Sequence, residues 1–307
     1  MALRKNKKSQ IFTLIAIVLL ILFFVSYEVY SIIYERQAIK TRIKSMDSFL
    51  FSIEQDLERQ FYISGFRIIF LAENEIARTG TYIPNFNSLF QEAILNGTIN
   101  SEKSEILNGA TISDIMSSIQ DKAEKMNLNI NFSDIKVSVG QEDPWNIIVY
   151  FNATLNLTDK SNLALWQKKE EIKARVSIEN FEDPIYLIKT SGKVSRKIKQ
   201  TLYEGNYVSG TDKTNLSLHL ENKYYANNTD APSFLKRMQG SLESDANGIE
   251  SFVYLPDLTA QGLQVSDKSV VDYIYFSSDN PSSFTISGLP SWFKLDSQHC
   301  SRYQLTC

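Results

Sequence analysis

The sequence predicts an α+β protein, with an N-terminal transmembrane helix continuing into a long amphipathic helix, then a mainly antiparallel, β-rich extracytoplasmic head. Three observations carry this expectation. Residues 11–27 are an uncharged apolar run, the stretch after them repeats apolar side chains at helical spacing, and from Ile130 the repeat shortens to two.

The apolar run, IFTLIAIVLLILFFVSY, has seventeen residues. At ~1.5 Å per residue they span roughly 25 Å, a little short of a ~30 Å hydrocarbon core. Val29, Tyr30, Ile32, Ile33 and Tyr34 extend the span outward, so residues 11–34 form the predicted transmembrane helix. Glu28 then falls near the outer interface, among Tyr27, Tyr30 and Tyr34, where amphipathic rings are favoured. Arg4, Lys5, Lys7 and Lys8 precede the run and no acidic residue comes before Glu28. By the positive-inside rule residues 1–10 are a cytoplasmic basic leader, and everything beyond the helix lies outside the cell membrane. A cleaved secretory signal fits poorly, because Val25-Ser26-Tyr27-Glu28-Val29-Tyr30 puts bulky residues where small ones are required.

Helical spacing continues past the membrane. Ile39, Ile43, Met46, Leu50, Ile53, Leu57, Phe61 and Ser64 recur at steps of three and four, and no Gly or Pro occurs before Gly65. Residues 35–78 are therefore expected to be a helical stalk. Its apolar stripe has two uses, packing on the chain's own head or pairing with other copies.

Residues 79–205 read as an α+β ectodomain. Thr79-Gly80-Thr81 and Pro84 interrupt the helix, and residues 88–95 resume it. Thr111 or Ser113 caps a further helix with Ile112, Ile115, Met116 and Ile119 on one face. Then Ile130, Phe132, Ile135, Val137 and Val139 alternate with polar residues, the sequence from Gly140 to Pro144 supplies a turn, and Trp145 to Leu157 alternates again. Ile172, Ala174, Val176 and Ile178 make a third run, with Lys173 and Arg175 facing the other way. Three such runs predict an antiparallel meander with one wet face. It ends at Glu182-Asp183-Pro184, and residues 193–203 read as helix. Residues 206–307 are expected to be a β-rich extension or second subdomain. Their first part, to Asp230, is polar and loop-rich; strands are expected at residues 248–254 and in the Val-, Tyr- and Ile-rich residues 269–276.

The chemistry suggested by composition is sparse. Beyond the leader, 28 of the 32 basic residues face 35 acidic ones, a formal charge of −7, which argues against nucleic acid as a partner. The lipid bilayer is the partner the helix implies. No phosphate-binding glycine loop, nucleophile elbow or zinc-helix motif is present, and His219 and His299 are the two histidines. The sequence therefore predicts no catalytic residue, no metal ligand and no cofactor. His299 adjoins Cys300, but neighbours in an extended segment point to opposite faces and cannot form a Cys–His pair. Cys300 and Cys307, the two cysteines, are a candidate disulfide, since such bonds persist outside the cell. Six Asn-x-Ser/Thr sites occur, of which Asn152 and Asn156 share the polar face of one strand and are the candidate glycosylation positions. Glu182-Asp183-Pro184 and Phe234-Leu235-Lys236-Arg237 are distinctive, and read either as a turn and a short helix or as a binding feature.

Lys8-Ser9-Gln10-Ile11, leading directly into the apolar helix, resembles the class III signal of archaeal type IV pilins and pilin-like proteins. The resemblance covers about 35 residues. It implies a processing site at Lys8, Ser9 and Gln10, with cleavage between Ser9 and Gln10. It also implies transfer of the helix from lipid into a bundle of pilin-like subunits. Ser9 stands where the family has Gly or Ala, and Leu14 where many pilins carry Glu. With the large head, these departures point to a minor pilin or a surface assembly or adhesion factor. Phe181-Glu182-Asp183-Pro184 and Gly248-Ile249-Glu250-Ser251 are similar to segments of membrane-anchored archaeal proteins of an uncharacterised family. The expected role is a membrane-anchored, extracytoplasmic, pilin-like surface protein and not an enzyme. The alternatives are a permanently anchored binding or sensor-partner head and, less favoured, a tethered hydrolase.

Overall fold

The computed structural model of the chain describes residues 7–307, with side chains from residue 11 onward. Residues 1–6 of the basic leader lie outside the described residues, as do the side chains of Lys8, Ser9 and Gln10. One helix, α1 (Lys7–Thr79), dominates the molecule with 73 residues. At ~1.5 Å per residue it is roughly 110 Å long. Its two halves have opposite surroundings. From Ile11 to Tyr30 every residue is exposed, and Met46 is the first buried one. Beyond it Phe49, Leu50, Ile53, Leu57, Phe61, Ile68, Ile69, Ala72 and Ile76 are all buried. The helix is therefore a free rod that becomes the spine of the head.

The sheet against which that spine packs is a meander of β3 (Leu128–Asp143), β4 (Asn146–Asp159) and β5 (Leu165–Ser177), in that order and antiparallel throughout. Two minimal strands, β1 (Thr98–Ile99) and β2 (Glu102–Lys103), pair earlier in the chain. The register puts Val149 opposite Val139 and Ala174, and Phe151 opposite Val137 and Ile172, so one face is apolar across all three strands. Phe61 of α1 stacks on Phe151 with ring centroids 4.5 Å apart. Gly65 marks the closest approach: a Cβ there would lie 2.7 Å from Val149 Cγ2 and 3.0 Å from Val176 Cγ2. Two shorter helices, α2 (Phe86–Asn96) and α3 (Ile112–Lys125), add to this apolar core. Thr111 caps α3 in a reciprocal box with Asp114, its hydroxyl accepting from the Asp114 N–H at 3.2 Å.

The lower edge of the head is pinned to the rod by Arg42. Its Nε donates to Asp159 Oδ1 at 2.5 Å, and Nη2 donates to the carbonyls of Met126 and Asn127 at 2.8 Å each. The free stretch between the apolar run and the head is thus short. The expected stalk of residues 35–78 is a stalk as far as Ser45 only; from Met46 it is core. Its stripe packs on the chain's own head, while Ile39 and Ile43, at 36% and 40% exposure, stay outside.

The second half is built differently from the β-rich extension expected. It holds α4 (Pro184–Lys189), α5 (Thr214–Glu221), β6 (Tyr225–Asn227), α6 (Phe234–Gln239), β7 (Ile249–Ser251), α7 (Leu255–Ala260), α8 (Asp272–Tyr275), β8 (Ser283–Thr285), β9 (Lys294–Asp296) and α9 (Ser297–Arg302). Its strands form two antiparallel pairs, β6 with β7 and β8 with β9, each three residues deep. Its own apolar cluster draws on residues from Tyr186 to Tyr303, while Ile198, Tyr225, Phe234, Met238 and Ile249 join the core of the first half. Residues 193–203 are extended, not helical: Val194, Arg196 and Ile198 are buried in alternation. Their backbone is bonded on both sides, to Phe181 and Asp183 and then to Tyr225, which outweighs local helix propensity. Residues 272–275 are a helical turn where a strand was expected, and Trp145 sits in the β3–β4 turn because Asp143 Oδ1 accepts from its N–H at 2.9 Å.

Because Gly65 leaves no room for a side chain between helix and sheet, Gly65→Val is expected to lower stability by about 1–3 kcal/mol, measured by urea denaturation of the purified protein.

Candidate functional site

Three features of the structure have functional potential: the exposed apolar half of α1, a buried ionic network in the second half, and a groove beside the last turns of α1. The first is a surface. Phe12 and Phe23 are 72% and 70% exposed, and Leu, Ile and Val side chains between them cover the whole circumference. The helix is long and apolar enough to cross a membrane. Covering each such side chain is worth about 1.5–3 kcal/mol, so a bare rod of this kind in water costs tens of kcal/mol. It demands a sheath.

The ionic network begins with the two segments singled out in the sequence. Asp183 caps α4, its Oδ1 accepting from the Ile185 N–H at 2.9 Å. Its Oδ2 accepts from Arg237 Nη1 of α6 at 2.6 Å and from the Tyr225 hydroxyl at 2.8 Å. The same guanidinium reaches Asp272 Oδ2 at 3.0 Å and the Ile249 carbonyl, and Asp272 in turn accepts from the Ser251 N–H and hydroxyl. Arg237, Asp183 and Asp272 are all fully buried. Burial opposes the guanidinium charge, but Asp183 and Asp272 outweigh it and hold Arg237 firmly protonated. Of the two readings left open for these segments, the geometry is that of a structural clamp with every group satisfied.

A second knot surrounds Glu250 of β7. Its Oε1 accepts from Tyr303 Oη at 2.7 Å and Arg302 Nε at 2.8 Å, and its Oε2 from Asn228 Nδ2 at 2.6 Å. His299 Nε2 lies 3.1 Å from the same Oε2, and Nδ1 lies 2.8 Å from Asp296 Oδ2. Burial alone would push the His299 imidazole down, but bonding to Asp296 and Glu250 raises it to about 9. It is a buried cation with a carboxylate at each nitrogen. Residues 297–302 are α9, not an extended segment, and Cys300 is bonded to Cys307 with Cα atoms 6.0 Å apart. His299 therefore serves carboxylates and has no thiol partner. The other histidine, His219, is pushed down to about 3 by burial and packs on Tyr207 and Phe252.

The groove has a volume of about 380 Å³ and is lined by Phe66, Phe70 and Glu73 of α1 against Phe181, Glu182 and Lys197. Sequence reasoning missed it. Its lining residues are scattered over more than a hundred positions, and the one local signal, aromatic side chains spaced by four on the wet side of an otherwise core helix, is weak. Asn152 is exposed on the polar face of β4, Asn156 is half-buried there, and neither touches the groove.

Comparison with known proteins finds no matching family model, no matching curated protein and no matching solved structure.

Two outcomes test the networks. Arg237→Met leaves two carboxylates buried without their cation and is expected to cost about 3–5 kcal/mol in urea denaturation. His299 titrates higher folded than its ordinary 6.5, so its stabilisation is complete below that pH and is lost as pH rises to about 9. Urea midpoints measured across that window should fall, and His299→Gln should flatten the dependence.

Proposed function

We propose that this chain is a single-pass membrane protein held by the first half of α1, with its leader in the cytoplasm and its head outside the cell membrane. It works there as a pilin-like structural or assembly component of the surface. One observation carries the reading: a single unbroken helix is apolar and exposed over its first half and is the core spine of the head over its second. Such a rod transmits force and position directly from the bilayer to the head, because no hinge separates them. The same surface that lipid solvates is suited to neighbouring helices of the same kind, which is what transfer into a filament requires. Arg42, holding Asp159 and two carbonyls, fixes the head on the rod just outside the span. The C-terminal disulfide accords with an oxidising exterior.

A permanently anchored binding head is the second reading, and the groove beside Glu73 is the observation that favours it. The mature N-terminus separates the two. Mass spectrometry of the native protein is expected to find chains beginning at Gln10; exclusively Met1-bearing chains would remove the pilin-like version and leave the anchored head. Anchoring itself is checked by fractionation: the full chain should stay with membranes through salt and alkaline washes and leave only with detergent.

A further inference from the structure

The groove at the end of α1 contains an anomaly that the fold does not need. Glu73 is 7% exposed, and its Oε1 is buried with no hydrogen-bond partner. An unpaired buried carboxyl oxygen is costly and rare in a folded protein. Lys197 lines the same groove, yet forms no ion pair with Glu73. Around this carboxyl the chain exposes apolar rings it had every opportunity to bury: Phe66 and Phe70, one helical turn apart, are 44% and 41% exposed, and Phe181 faces them with its ring 5.2 Å from that of Phe66. Glu73 follows Phe70 by three residues on the same face of α1.

The electrostatics give the sign of the ligand. Glu179 and Glu182 line the groove with Glu73, Asp183 lies behind it, and Lys197 is the basic side chain among the lining residues. Burial first, then the charge of Glu182, raise Glu73 to about 9, with Asp183 adding to the rise; a hydrogen bond from the Glu182 backbone to the carboxyl and the charge of Lys197 oppose it, so that Oε1 alone is left without a partner. At neutral pH the carboxyl is thus protonated, and an entering positive charge would drive the proton off to water. Aromatic faces around an acid form a receptor for cations. An anion would meet three lining carboxyl side chains, and a neutral molecule could take hydrogen bonds from them but no charge pairing.

We infer that this groove is a binding site for a small organic cation, an ammonium or guanidinium group on an apolar stem, with Glu73 as its counter-ion and Phe66, Phe70 and Phe181 around the stem. The site lies wholly within the head, so it stands whether or not the leader is cleaved or the helix enters a filament.

The test uses the full-length protein in non-ionic detergent and 2-phenylethylammonium as the probe. Its uncharged analogue 2-phenylethanol and the anion 3-phenylpropionate serve as comparisons, with isothermal titration calorimetry at neutral pH in two buffers of different ionisation enthalpy. Binding of the ammonium is expected to be at least about tenfold tighter than that of the alcohol. It should be accompanied by release of close to one proton per ligand, because Glu73 ionises on pairing. Glu73→Gln preserves shape and the neutral state of the free site, so it should leave the urea midpoint unchanged, reduce ammonium affinity to that of the alcohol and abolish proton release. Phe70→Ala, at a half-exposed position, should weaken binding while proton release per bound ligand persists. Equal affinity for ammonium and alcohol, preference for the propionate, absence of ammonium binding, or full proton release in a folded Glu73→Gln protein would each overturn the assignment.

Discussion

The contact between the second half of α1 and the apolar face of the β3–β4–β5 meander is the constraint on which the rest depends. Gly65 lets the helix axis fall close to Val149 and Val176, and Phe61 stacks on Phe151 a turn earlier. This one seam buries the long amphipathic stripe and fixes the direction in which the exposed half of the rod leaves the head. It also fixes the angular position of every other residue on α1. Arg42 is turned toward Asp159 and the end of α3, while Phe66, Phe70 and Glu73 are turned toward the chain segment around Phe181. The exposed apolar half, the base at Arg42 and the groove share one helix, so none can rotate independently of the others.

The second half solves a different problem. Its strands are too short to make a sheet that could carry it, and its helices run four to eight residues. Order comes instead from buried ionic knots. Arg237 ties together α4, α6, β7 and α8 through Asp183, Asp272 and the Ile249 carbonyl. Glu250 ties β7 to α9 and to the residues that follow it. Buried charges of this kind contribute less net stability than apolar packing would, but each has a single geometry that satisfies it, and that geometry selects one arrangement of many short segments. Through Asp183, which belongs to the segment following the groove-lining Phe181 and Glu182, the clamp also holds the wall of the groove in place.

Local periodicity was a good guide wherever an element's own face decides its state. The three alternating runs became the meander, and the three-residue step from Phe132 to Ile135 coincides with the bulge at Asp134, whose φ is 54°. Thr111 caps α3 as its position before an apolar periodic run implies. Periodicity misled where partners far along the chain supply the hydrogen bonds. Residues 193–203 have basic and apolar residues that suit a helix, but Phe181, Asp183 and Tyr225 claim their backbone. Residues 269–276 have β-branched and aromatic residues that suit a strand, yet Asp272 turns inward to meet Arg237, and the backbone coils into a helical turn around it.

What the sequence determined by itself is the rod: an uncharged apolar run joined without Gly or Pro to an amphipathic repeat dictates a continuous helix, because every hydrogen bond in it is local. The α+β class and the meander followed from the same local logic. Only the tertiary structure decided that the amphipathic repeat serves the chain's own head from Met46 onward, that Asp183, Arg237 and Asp272 meet, and that Glu73 Oε1 is buried without a partner beside the exposed rings of Phe66 and Phe70. These are juxtapositions of residues separated by tens to hundreds of positions. No spacing rule encodes them, since they arise when separate apolar faces are forced into one buried volume and the polar groups caught there find partners or are left without one.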